Sequence, residues 1–216
     1  MALLELEVEF GHHGFILWSD PEGFYGERFD RQITDVRQSV HPAINVVQKG
    51  VKFDSPYISV RLDQLENLIA QADRRDVQLR GNNASVRSTI GFHLKWKSGL
   101  FGAFRHCELL KTEKDIHKFA PMFVRHVMES AKPFWARFSD PDSVLKALFQ
   151  NEREYEAGTE TMKLQKIIAL QLLMHGTQRA REVAKERVKA LISANRVKTG
   201  NEVARWAAAL LHDDLQ

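Results

Sequence analysis

This chain of 216 residues has a single cysteine, Cys107, so it cannot close an internal disulfide. A stapled secreted scaffold is excluded. A zinc site built on two to four thiolates is excluded within one chain. Long apolar runs are also missing. The longest, Ile167 to Met174, is broken by Gln171 and falls far short of a bilayer span. The opening residues MALLELEVEF place Glu5, Glu7 and Glu9 where a signal peptide needs an apolar core. These absences lead to the expectation of a cytoplasmic protein without a membrane association. Extreme charge is lacking too: 31 Lys and Arg against 28 Asp and Glu give a net +3. With 44% hydrophobic and 27% charged residues, collagen-like, coiled-coil and wholly disordered chains are ruled out.

Nor is there a signature for phosphate or acyl chemistry. No Walker loop, G-x-S-x-G elbow or kinase motif occurs. Gly99-Leu100-Phe101-Gly102 has the G-x-x-G spacing of a nucleic-acid clamp, but its inner residues are apolar, which suits a tight turn. His12 and His13 read as solvated turn histidines, since adjacent side chains diverge and match no common metal spacing. His117 and His126 lie nine apart, not at the i, i+4 spacing of a helical zinc site. Neither a metal nor a cofactor is expected. His106-Cys107-Glu108 is the one local cluster with nucleophilic potential. Cys107 would need His93, His117 or His126 brought near as a base, and the competing reading is a buried, inert thiol. A cysteine/histidine-dependent enzyme is therefore one alternative.

What is present is architecture. Leu4, Leu6, Val8 and Phe10 alternate with glutamates, which predicts a strand, then a glycine-bounded turn and a second strand over Phe15 to Trp18. Short strands are expected at Ile44–Val47 and Tyr57–Arg61, with a long one over Val86–Trp96 bent at Gly91. Asp63 and Glu66 form a D-x-x-E pair suited to a helix start, ahead of the stripe Leu65, Leu68, Ile69 and Ala72. Thr112/Asp115, Ser139-Asp140 and Thr199/Glu202 predict further helix starts, and Gly176 a helix stop. Strands followed by helices imply an α+β fold: a mainly antiparallel N-terminal sheet packed by a C-terminal layer of five to six helices. No linker composition separates the strand-rich part, 1–108, from the helical part, 109–216. One body is expected over 1–216.

Charge is uneven. Between Lys163 and Lys198 stand nine bases (Lys163, Lys166, Arg179, Arg181, Lys185, Arg187, Lys189, Arg196 and Lys198) against Glu182 and Glu186, a local surplus of +7. Arg181, Lys185 and Lys189 step by four along one helix face. Such a face is either a solvated outer surface or a docking surface for an acidic protein or nucleic acid. Few aromatics interleave the bases, so single-strand stacking is unsupported. Phe119, Phe123, Phe134, Trp135, Phe138 and Phe149 crowd one span and are expected mostly in the core.

The strand ending GFHLKW, the segment AKPFWARFSD with its following SVLKAL, and the pair around IIALQLLMHGTQRAREVAKERVKALI resemble an uncharacterised bacterial family, domain of unknown function 4304. The likeness covers roughly Val86 to Ile192. It implies an α+β fold, a bacterial source and a small accessory role such as immunity toward a toxin. It carries over no catalytic residues. The expectation is a non-enzymatic binding protein with a protein partner, and nucleic-acid binding as the runner-up.

Overall fold

A computed structural model describes residues 2–19, 27–53, 56–73, 84–89, 110–150 and 155–212. The fold is α+β. In chain order the elements are α1 (Ala2–Gly11), β1 (Ile16–Ser19), β2 (Glu27–Ile33), β3 (Val36–His41), β4 (Ile44–Val47), β5 (Gly50–Phe53), β6 (Tyr57–Leu62), α2 (Asp63–Ala72), β7 (Val86–Thr89), α3 (Glu113–Phe138), α4 (Pro141–Gln150), α5 (Glu160–Ser193) and α6 (Val197–Leu211). A five-stranded sheet has the order β1-β2-β3-β6-β7, and β4-β5 is a separate hairpin. The β1–β2 and β2–β3 pairs are antiparallel, with Leu17 opposite Phe29 and Phe29 opposite Val40.

The chain divides into two compact units. One holds residues 1–60 and 87–138, the other 61–86 and 139–216. The first is an aromatic core. Phe10, Phe15 and Phe29 meet with ring centroids 4.6–5.8 Å apart, and Phe15 lies 5.3 Å from Trp135. Trp135 is buried and donates its indole N–H to the Ser59 carbonyl (3.2 Å), so its polar edge is satisfied as burial requires. Of the expected core aromatics, Phe123, Phe134, Trp135 and Phe138 are buried, Phe119 is half-buried and Phe149 is exposed.

The expected strand over Leu4–Phe10 is a helix, α1. Alternation with period two also places every second apolar residue at i, i+4. Ala2, Leu6 and Phe10 therefore form one buried helical face, and Leu4 and Val8 face outward. Leu and Glu favour helix, and only Val8 is β-branched. The turn Gly11–Gly14 thus follows a helix, and His12 and His13 are exposed on it. Charged Glu27–Gln38 conceals the β2–β3 hairpin, in which Arg28 is buried and bonded to Asp30 (2.9 Å). The Val86 strand is present over Val86–Thr89, with Val86 and Ser88 facing inward; residues 90–109, including His93, the Gly99–Gly102 turn, His106, Cys107 and Glu108, lie outside the described residues.

α3 begins as predicted. Thr112 and Asp115 cap reciprocally (3.0 and 3.2 Å), and these bonds, led by the Thr112 hydroxyl, hold the Asp115 carboxyl below its ordinary range. Pro121 and Pro133 both sit inside one continuous helix. In the second unit, Asp140 caps α4 by accepting from the Ser143 amide (3.0 Å) and hydroxyl (2.8 Å), with Pro141 in the first helical position. Thr199 and Glu202, by contrast, lie inside α6, whose N-cap is Arg196. α5 is interrupted at Gly176 (φ 81°, ψ 177°), where the break was expected. That conformation belongs almost solely to glycine, although open space surrounds the site. Gly176→Ala is expected to lower the stability of this unit by about 1–3 kcal/mol through backbone strain alone. A shift in urea midpoint without a change in m-value checks this.

Candidate functional site

The basic stretch falls in the second unit, on α5 and α6, and the structure sorts its nine members by environment. Lys166 is not on the face at all. It is 2% exposed, and its ammonium donates to the carbonyls of Ala84 (2.8 Å), Ser85 (3.0 Å) and Ala157 (3.0 Å), with Glu66 Oε1 at 3.8 Å. Burial is possible because all three protons find acceptors and a counter-charge stands nearby. Glu66 is itself 1% exposed, accepting from the Ser85 hydroxyl (2.9 Å), which accepts in turn from the Leu62 amide (3.0 Å). The D-x-x-E pair therefore does not cap α2. Asp63 instead accepts from Arg61 Nε (2.8 Å), Arg61 Nη2 donates to Asn67 Oδ1 (3.0 Å), and Leu62 occupies the N-cap without a side-chain bond. Sequence held a partial clue to Lys166: three of its four nearest neighbours on the helix surface, Met162, Ala169 and Leu170, are apolar, and only Lys163 is charged.

Other members are partly neutralised. Arg179 pairs with Glu182 (3.3 Å), and Arg196 pairs with Glu160. Lys163 is half-buried. Arg181 is half-buried and donates to Gln178 Oε1 (3.2 Å). Arg187 is half-buried with its guanidinium 4.8 Å from the centre of the Phe149 ring, a cation–π contact that accounts for the exposed phenylalanine. Lys185, Lys189 and Lys198 are exposed and have no ion-pair partner among the described residues. Of the three, Lys185 and Lys189 line one groove.

Between the second half of α5 and α6 runs an open groove of about 380 Å³, lined by Ala184, Lys185, Val188, Lys189, Ile192, Ser193 and Ala204. Gly200 makes the close approach of the two helices possible, since a β-carbon there would lie 3.1 Å from Ile192 Cγ1. Ala180, Val183, Ala184, Val188, Leu191 and Ile192 recur at helical spacing as one apolar stripe, of which Ala180, Val183, Ala184 and Leu191 are buried. Ile192 is 45% exposed and Val188 half-buried, because both lie at the edge of the stripe and form the groove floor. Periodicity marked these residues as apolar; it could not tell a core edge from a groove.

Elsewhere, His117 Nδ1 meets Glu5 Oε2 at 3.0 Å on an exposed surface, and His126 lies 4.0 Å from Glu129. No cluster of three or more His, Cys, Asp or Glu suited to a metal ion occurs among the described residues, and no described helix is long and apolar enough to cross a membrane. Comparison with family models, with curated proteins and with solved structures finds no match to the chain.

Proposed function

We propose that this chain is a non-enzymatic bacterial binding protein that works in the cytoplasm by direct contact with a partner protein, in the manner of an immunity protein masking its toxin. The observation that carries this reading is the groove on α5 and α6: an apolar floor of Ala184, Val188, Ile192 and Ala204 edged by the exposed, unpaired Lys185 and Lys189. A floor without polar partners suits apolar side chains, and the lysines suit carboxylates. Both together favour an acidic protein surface over nucleic acid, for which bases along a polar groove would be needed. The resemblance to the bacterial accessory family points the same way.

Lysines at an interface edge chiefly raise the association rate. Reversing Lys185 and Lys189 to glutamate is expected to slow association with a partner captured from the bacterial host by about tenfold or more at low salt. Stopped-flow or surface-resonance rates across a salt series measure it. Association that neither the reversal nor salt alters would overturn the proposal. Strong retention on DNA with a steep salt slope would replace it with the nucleic-acid reading.

A further inference from the structure

α1 and the α5–α6 groove have complementary surfaces. α1 contains Glu5, Glu7 and Glu9 and no base. Its outward face shows Leu4 (64% exposed) and Val8 (59% exposed), one turn apart, with exposed Glu7 between them. They make an exposed apolar pair beside an acidic residue. The groove offers Val188 and Ile192 one turn apart on α5, with Lys185 and Lys189 stepping alongside by the same interval. Four residues of helix span about 6 Å in both cases, so the two apolar pairs and the charges share one spacing. Ala184, Ser193 and Ala204 are small, which leaves room for a third helix to lie close. Glu7 has no partner among the described residues, and neither lysine has one.

We infer that the occupant of the groove is α1 of a second copy of this chain, with Leu4 and Val8 against Val188 and Ile192 and Glu7 beside Lys189. The inference rests on reading this surface as a docking face and names what fills it when no other partner does. The contact is heterologous: each copy gives α1 to one neighbour and a groove to another, so association proceeds head to tail until a ring closes or the chain of copies ends. One helix in one groove is a small interface, so assembly is weak and reverses on dilution. A host partner seated in the groove would compete with it.

Sedimentation equilibrium of the full chain tests this without any partner. The expected result is an average mass that rises with concentration above 24.8 kDa and falls with added salt. Glu7→Lys and Lys189→Glu should each weaken association by about tenfold. The double variant, with the charges exchanged, should recover it. Leu4→Ser with Val8→Ser should abolish it while leaving host-partner binding in place. All four positions are exposed, and circular dichroism confirms that the variants fold. A chain that stays monomeric at millimolar concentration, or association indifferent to both charge reversals, overturns the inference. Either result leaves the host-partner reading to be judged by its own rates.

Discussion

Lys166→Ala is expected to lower the unfolding free energy of the second unit by about 3–5 kcal/mol, the cost of stranding a buried charge. The truncation would leave the buried Glu66 carboxyl without its cationic neighbour, and would remove the donor from the carbonyls of Ala84, Ser85 and Ala157 at once. Glu66→Gln in the Lys166→Met background should recover at least about 1 kcal/mol, because a neutral amide needs no cation and still accepts from Ser85. Urea unfolding of the parent chain, Lys166→Met, Glu66→Gln and the double variant gives the coupling directly. If Lys166→Ala cost less than about 1 kcal/mol, the buried pair would be energetically idle and the assignment of Lys166 as an internal brace would fail.

The second large effect is one of pH. Burial, aided by Arg28 and Arg87 and opposed by Asp30, pushes the His41 imidazole down from 6.5 to about 4. The folded protein therefore keeps His41 neutral through a range where the unfolded chain protonates it. Stability from this residue is complete above pH 6.5, falls as the pH drops toward 4, and changes no further below that. The loss is about 2 kcal/mol by pH 5 and about 3 kcal/mol over the whole window. Denaturant midpoints at pH 7.0 and pH 5.0 lie above the main carboxylate range, and comparison with a His41 variant separates its share from that of the eight other histidines. His41→Asn should flatten the difference. A variant that loses stability as steeply as the parent chain would show that the drop belongs elsewhere.

Local signals with a single physical meaning are legible in the sequence. The Thr112/Asp115 box, the Asp140 cap and the Gly176 break each satisfy or suspend backbone hydrogen bonds, and each stands where expected. Signals with two meanings are not. Alternating Leu and Glu fit a strand face and an i, i+4 helix stripe equally, and packing chose the helix. An acid three residues after another marks a cap only if both carboxylates stay outside; here Glu66 turns inward to Ser85 and Lys166. The same ambiguity explains the candidate site. Counting bases marked the segment that lines the groove and included one residue, Lys166, that is part of the interior. The groove itself needs α6 placed beside α5, and that is tertiary information a linear pattern does not contain.

Gly176 also decides how α5 transmits force. Its first half is enclosed, with every residue from Leu164 to Gln171 buried, while the second half presents alternate buried and exposed positions. An unbroken rod of this length would pass any tilt at one end to the other. The glycine joint interrupts that lever: the buried stretch from Leu164 to Gln171 and the groove-lining stretch from Ala184 to Ser193 lie on opposite sides of the break, so the two need not share one helical axis.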